Sequence, residues 1–410
     1  MTADSQIAYG GGFYGPEDDL VLPFRWMSKR ATLLLPAAEL REHAYLSLWI
    51  FSDFANFSQR IEASFDGRPL GEFPLMFGWA NYSLRLGPPE KNSGKGELVL
   101  TLNKIFPAKF HPGDGRELGV RIGPLSFHND EAKHEDAGFF LDNAVLNDRE
   151  MRQGKTVLRS YPTNLGIDIW GRCNIAPHCV YCTWDNMKIL EGDNVEAVID
   201  DRTLAGYGPF FKASRQLVNC SIGEPLLSPR IEEILDLCQR FGKTAEISTN
   251  GQSFTRRTIR ALAGKPVRLY VSLDAATKET YAKIRNDKWD EIIPNLILLN
   301  EERKRAGNLL KIYMVFIPMK VNRGDLEAYF QLCRRIEADS LVLRPLLNLG
   351  DPKIEADRGG YHFNYKDEML SWPEVQEIFR RCDEYSKKYG VFVSNQFDFG
   401  LAPKHAAEAS

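Results

Sequence analysis

From residue 159 onward the chain alternates short apolar runs with amphipathic helical patterns, and few folds accept that alternation. The strand-like runs are LGIDIW (165–170), RQLVNC (215–220), TAEIST (244–249), VRLYVSLD (267–274), KIYMVFIP (311–318) and SLVLRP (340–345). Helical patterns lie between them at 229–242, 255–264, 289–307 and 324–338, and another follows at 371–390 before a last strand-like VFVSNQF. Strands separated by helices imply βαβ units on a parallel sheet. Six units fall short of a closed ring of about eight, so the expected α/β fold is a partial (βα)6 TIM-like barrel. It spans 159–350, with 351–410 as a C-terminal extension packing on it. In such barrels the chemistry gathers at the C-terminal ends of the strands.

Residues 1–158 have a different texture. YLSLWIF (45–51), QRIEASFDG (59–67), YSLRLG (82–87), ELVLTLN (97–103) and LGVRIGPLSF (118–127) alternate or run apolar, separated by turn formers such as DGRPLG. An all-β sandwich or jelly roll is expected there, as an accessory domain for substrate recognition. A formal charge of −3 argues against a broad basic footprint, so no nucleic-acid partner is expected. No apolar run approaches about eighteen residues, so no membrane span is expected. The opening MTADSQIAYGGG shows no secretory pattern, and the odd cysteine count does not suggest a disulfide framework. A cytoplasmic location is the simplest expectation.

CNIAPHCVYC, residues 173–182, holds three of the seven cysteines. Cys173, His178, Cys179 and Cys182 offer four ligands for zinc. Adjacent His178 and Cys179 would strain to reach one tetrahedron, however, and a second separated pair is lacking. The other reading is an iron–sulfur cluster held by three thiolates with one iron left open. The cysteines alone leave both readings standing.

Further along come IGEPLL (222–227) after the second strand, STNG (248–251) after the third and SLD (272–274) closing the fourth. In that order, on successive strand ends, the chain resembles the radical S-adenosylmethionine (radical SAM) superfamily over roughly residues 160–350. The resemblance implies that Cys173, Cys179 and Cys182 bind a [4Fe–4S] cluster, and that S-adenosyl-L-methionine chelates the open iron. Tyr181 would lie close to the adenine. Gly223, Glu224 and Pro225 would form the loop that receives the cofactor's amino group, with Glu224 as the carboxylate. Ser248 and Asn250 would lie near the cofactor, and Ser272 and Asp274 near its ribose hydroxyls. Asn250-Gly251 also reads as an ordinary turn, and Asp274 as a helix N-cap. One departure stands out: five residues separate Cys173 from Cys179, where the family most often has three. His178 is left between a donor to a cluster sulfur and a plain loop residue. The implied chemistry is reductive cleavage to a 5′-deoxyadenosyl radical that removes a hydrogen atom from a C–H bond. The implied partner is a reductant such as flavodoxin or ferredoxin.

Cys220, ending the second strand, is the candidate for a second hydrogen-atom donor, or else a small residue packed at a strand end. Cys238, Cys333 and Cys382 fall on apolar helical faces and read as core. Arg344, ending the sixth strand, reads as an anion-binding group for cofactor or substrate, or as half of an ion pair. The segment 344–370, with Tyr361, His362, Phe363 and Tyr365, reads as a lid or substrate wall. Trp26, Trp49, Trp79 and Tyr82 loosely resemble the aromatic faces of carbohydrate-binding sandwiches, although Trp49 reads as core. The function expected is radical epimerisation or oxidation of a sugar, glycan or other small-molecule substrate. The alternatives are modification of a ribosomally made peptide, and a zinc- or cluster-stabilised binding protein without radical chemistry.

Overall fold

The computed structural model describes residues 7–18, 22–86, 95–106, 113–182, 199–219, 223–346 and 355–397. The chain divides into two compact units. One comprises Met1–Leu165, Tyr207–Arg215 and Arg240–Gly242; the other comprises Gly166–Gly206, Gln216–Gln239 and Lys243–Ser410.

The first unit carries β1 (Ala8–Tyr9), β2 (Phe13–Asp18), β3 (Pro23–Met27), β4 (Arg30–Pro36), β5 (Tyr45–Ser52), β6 (Arg60–Phe65), β7 (Arg68–Pro74), β8 (Gly78–Arg85), β9 (Lys95–Leu102) and β10 (Val120–His128). They form two five-stranded sheets, ordered β1-β4-β9-β6-β7 and β2-β3-β10-β5-β8, and the strand pairs with a printed register are antiparallel. Alternate residues point inward: Leu33 and Leu35 of β4, Leu98 and Leu100 of β9, Leu46, Leu48 and Ile50 of β5, Val120 and Ile122 of β10 share one core. That is the period-two burial of a sandwich.

Two features differ from the sequence expectation. Helix α1 (Glu131–Arg152) lies within the stretch read as all β. Asp130 caps it by accepting from the Lys133 amide at 3.0 Å, and its few buried positions give little apolar periodicity to read. The tryptophans also differ. Trp49 does not join the central core; its β5 neighbours Leu48 and Ile50 do. Trp49 packs instead with Phe24, Trp26, Trp79 and Leu118 in a second cluster. Trp26, Trp79 and Tyr82 are buried, and the Tyr82 hydroxyl accepts from the Met76 amide at 2.9 Å.

The second unit is built on a seven-stranded sheet of β11 (Asn164–Ile167), β12 (Gln216–Asn219), β13 (Thr244–Thr249), β14 (Val267–Ser272), β15 (Lys311–Phe316), β16 (Ser340–Leu343) and, after a hairpin of β17 (Glu355–Arg358) and β18 (Tyr361–Asn364), β19 (Val393–Asn395). Pairing from β12 to β19 is parallel throughout. Helices α2 (Ile231–Arg240), α3 (Arg256–Ala263), α4 (Lys278–Ile284), α5 (Trp289–Arg305), α6 (Leu326–Ile336) and α7 (Trp372–Tyr389) fall within a few residues of the periodic segments, α4 excepted. Their apolar faces bury Cys238, Cys333 and Cys382, so these three cysteines are core residues. The stretch read as a C-terminal extension supplies a seventh strand, because α7 returns the chain to lay β19 parallel to β16. Among the described residues no helix is long and apolar enough to cross a membrane.

Burial alternates along the strands. Ala245, Ile247, Val267, Leu269 and Val271 are buried, whereas Glu246, Ser248, Arg268, Tyr270 and Ser272 are only partly so. One face of the sheet is therefore polar, and the candidate site residues gather where it meets the C-terminal strand ends.

Candidate functional site

The cysteine loop follows β11 and holds Cys173, Cys179 and Cys182, all partly accessible and free of disulfides. Its backbone is fixed at the C-terminal end. The Cys182 amide donates to the Cys179 carbonyl at 2.8 Å, and the Val180 amide to the Ile284 carbonyl at the end of α4 at 3.0 Å. The Ala176–Pro177 bond within it is cis. Two side chains aim N–H groups at its sulfurs: Asn250 Nδ2 lies 3.6 Å from Cys173 Sγ, and Arg285 Nη1 lies 3.3 Å from Cys179 Sγ. Burial pushes the Cys173 and Cys179 thiols up, and for Cys179 the Arg285 charge opposes that. His178 offers its backbone carbonyl to the Arg358 guanidinium.

Gly223 presses on the start of this loop. A Cβ there would stand 2.4 Å from the Trp170 carbonyl oxygen and 2.5 Å from that of Arg172, so only glycine fits. The contact lets the Glu224 amide reach the Arg172 carbonyl at 2.8 Å. The Glu224 carboxylate, expected to face a cofactor ammonium, is 1% exposed and engaged by protein. It accepts from the Leu226 amide (3.1 Å), the Thr249 hydroxyl (2.8 Å) and the Asn250 amide (2.7 Å), tying the loop to the end of β13. Burial raises its pKa to about 7 despite those donors. Pro225 opens the short 3-10 turn that follows.

Asn250 does more than turn the chain. Besides Cys173 it donates to Asn174 Oδ1 at 2.9 Å, and Asn174 donates to the Ser253 hydroxyl at 3.2 Å. Asn250 also accepts from the Gln252 amide, while Gly251 takes a φ of +79°, so the turn is present as well.

Asp274 is fully buried, with φ +59°. It does not cap α4; Thr277 does. Both of its carboxylate oxygens are engaged by protein groups. Oδ1 accepts from the Ile317 amide at 2.9 Å, and Oδ2 accepts from Arg285 Nη2 at 2.6 Å and from the Tyr181 hydroxyl at 2.5 Å. Tyr181 is thereby fixed by its hydroxyl, and burial holds its pKa well above normal. Arg285 is the residue that sequence reading missed. It is 3% exposed, and burial works against its charge, but Cys179, Tyr181 and Asp274 outweigh that and keep it protonated.

Ser248, next to last in β13, and Ser272, last in β14, lie on the polar face, in register with Tyr270 and Val315. Arg344 lies beyond β16 with its guanidinium 4.9 Å from the centre of the Tyr270 ring and its Nε donating to Gln396 Oε1 at 2.8 Å. Among the described residues no carboxylate pairs with it, whereas Arg268 is matched to Glu246 at 2.7 Å. Phe363 of β18 and Tyr365 just after it, both buried, share a hydrophobic cluster with Val180, and Tyr181 packs against that cluster. Cys220 lies outside the described residues.

A [4Fe–4S] cluster takes each thiolate on a different iron, and its cysteine sulfurs accept N–H donors of the kind that Asn250 and Arg285 supply to Cys173 and Cys179.

Residues 167–333 match the family model of the radical SAM superfamily. The chain is 32% identical over 172 residues to the S-adenosyl-L-methionine-dependent tRNA 4-demethylwyosine synthase of Arabidopsis thaliana, covering 40% of this chain and 25% of that protein. Against the enzyme of the same name from Methanocaldococcus jannaschii it is 23% identical over 169 residues, covering 40% and 48%. The chain thus spans a quarter to about half the length of these relatives. Streptococcus suis SuiB bound to its precursor peptide SuiA aligns at 14% identity and a TM-score of 0.47, over 66% of this chain and 56% of that one. Short motifs in this order on the ends of a parallel sheet lie within the segment that the family model matches, and residues 167–333 are thus a radical SAM domain, a kind of domain that works with a [4Fe–4S] cluster and S-adenosylmethionine.

Proposed function

We propose that this enzyme removes a hydrogen atom from a substrate carrying an anionic group, with a sugar acid or sugar phosphate as the favoured class. The observation behind it is Arg344. Its guanidinium is steadied by Gln396 and the Tyr270 ring and meets no protein carboxylate among the described residues. A fork held in that way is suited to a carboxylate or phosphate.

Cys173, Cys179 and Cys182 would hold the cluster, and the Gly223–Pro225 loop with Ser248, Asn250 and Ser272 would border S-adenosylmethionine. Once bound, this pair supplies one-electron chemistry: reductive cleavage of the sulfonium and hydrogen abstraction by the 5′-deoxyadenosyl group. The chain's own work is to orient the C–H bond and exclude water. Phe363 and Tyr365 serve the second purpose by closing over Val180. Cys220 would be the second hydrogen donor. Its alanine variant should still cleave S-adenosylmethionine yet incorporate no solvent deuterium into product.

A second reading has its own support, since the matched relatives are named as tRNA-modifying enzymes. The net charge of −3 weighs against a polyanion but does not bar one nucleotide from the site. The test is anaerobic. Reconstituted, dithionite-reduced protein is given S-adenosylmethionine, and 5′-deoxyadenosine is followed with sugar acids, sugar phosphates or bulk tRNA added, beside a Cys179→Ala control. Stimulation by the sugar anions, lost in Arg344→Gln, supports the first reading. Stimulation by tRNA alone replaces it with the second.

A further inference from the structure

Arg285 is placed as few arginines are. It is the C-cap of α4, the residue is 3% exposed, and one end of its guanidinium faces the cysteine loop. Nη1 lies 3.3 Å from Cys179 Sγ. Nη2 donates to Asp274 Oδ2 at 2.6 Å and to the Tyr181 hydroxyl. Asp274 cannot swing away, because Ile317 holds Oδ1 and Asn322 Nδ2 holds its carbonyl at 2.8 Å. The loop that carries Cys179 is tied to the same helix end through Val180 and Ile284. The cation and the sulfur therefore sit on one rigid piece of structure.

A buried ion pair is costly to assemble, and for stability alone an apolar cluster would serve as well. What an apolar cluster would not provide is a fixed positive donor at a cysteine sulfur. Gaining one electron adds one negative charge to an iron–sulfur cluster and breaks no bond. A cationic N–H at a ligand sulfur favours that reduced form.

We propose that Arg285 is a positioning residue that raises the reduction potential of the cluster through its hydrogen bond to Cys179, with Asp274 and Tyr181 as the brackets that aim it. The proposal rests on the reading of the three cysteines as cluster ligands.

Wild type, Arg285→Lys and Arg285→Gln would be reconstituted anaerobically, iron and sulfide counted per chain, and the loaded proteins titrated with dithionite without S-adenosylmethionine while EPR follows the reduced cluster. The midpoint potential should move to more negative values in Arg285→Gln and by less in Arg285→Lys, which keeps the charge but not the fork. Equal potentials in all three loaded proteins would overturn the proposal and leave Arg285 a structural ion pair. So would loss of cluster uptake in both variants with a lowered melting temperature. A wild type that takes up no iron points elsewhere, to failure of the cluster reading itself.

Discussion

At the scale of single residues, the site is governed by carboxylates held in protein rather than in water. Asp274 shows it most plainly. Its φ of +59° is a conformation that asparagine also tolerates, so Asp274→Asn leaves the backbone unstrained and removes only the charge. Arg285 is then buried without its counter-ion, and the loss of stability should be about 3–5 kcal/mol. Chemical denaturation reads this as a lower midpoint with unchanged slope; a loss under about 1 kcal/mol would mean that the pair is idle. Glu224 makes a pH-dependent case. Its pKa is raised from 4.5 to about 7, chiefly by burial, so the folded chain holds that proton more tightly than the unfolded one. Its contribution is therefore complete below the unfolded value and is lost as the pH climbs through about 7. Relative to Glu224→Gln, the cofactor-free protein should lose about 3 kcal/mol between about pH 5 and pH 8. Stability curves for the two proteins that run parallel over that range would contradict the account. Neither role was legible from SLD or IGEPLL, because both depend on partners distant in sequence. Ile317 and Asn322 fix Asp274, and Thr249 and Asn250 fix Glu224.

Elements explain why the strand ends meet where they do. The turn after β15 is latched by Asn322, which is fully buried. It donates to the Asp274 and Ile317 carbonyls at 2.8 and 2.9 Å and accepts from the Met319 amide at 2.7 Å. Asn322→Ala strands three buried backbone groups and should cost about 2–4 kcal/mol. Amide exchange at Met319 should quicken in the variant, and unchanged protection there would show that the latch is dispensable. Gly223 acts between elements in the same way. A methyl group at that position meets backbone carbonyl oxygens that cannot yield, so Gly223→Ala should lower S-adenosylmethionine affinity, read by equilibrium dialysis on the reconstituted protein. Wild-type affinity would show that the loop has room to spare. The helices α2, α3, α5, α6 and α7 were legible because each repeats apolar residues on one face and ends near glycine or basic residues. Helix α1 was not, since its buried positions include Asn143, Asn147 and Glu150, polar residues that periodicity does not count.

At the scale of the whole molecule, the alternation of strands and helices was enough to foresee a parallel sheet, and the motifs on its strand ends enough to foresee a radical SAM domain. The burial of Trp26 and Trp79 was not foreseeable, because a tryptophan looks alike in sequence whether it faces solvent or its neighbours. The two units do differ in one testable respect. The sandwich core from Leu33 to Leu125 draws on the first unit alone, whereas every side chain placed round the cysteines belongs to the second. Metal binding stabilises the part of a chain whose folded form holds the ligands. Calorimetry of the reconstituted protein should therefore show two transitions, and removal of iron by an anaerobic chelator should lower one and leave the other in place. The Cys179→Ala protein should behave as the chelated one does. If both transitions fell together, the sandwich would owe its stability to the cluster-bearing unit, and its self-contained core would not be sufficient to hold it folded.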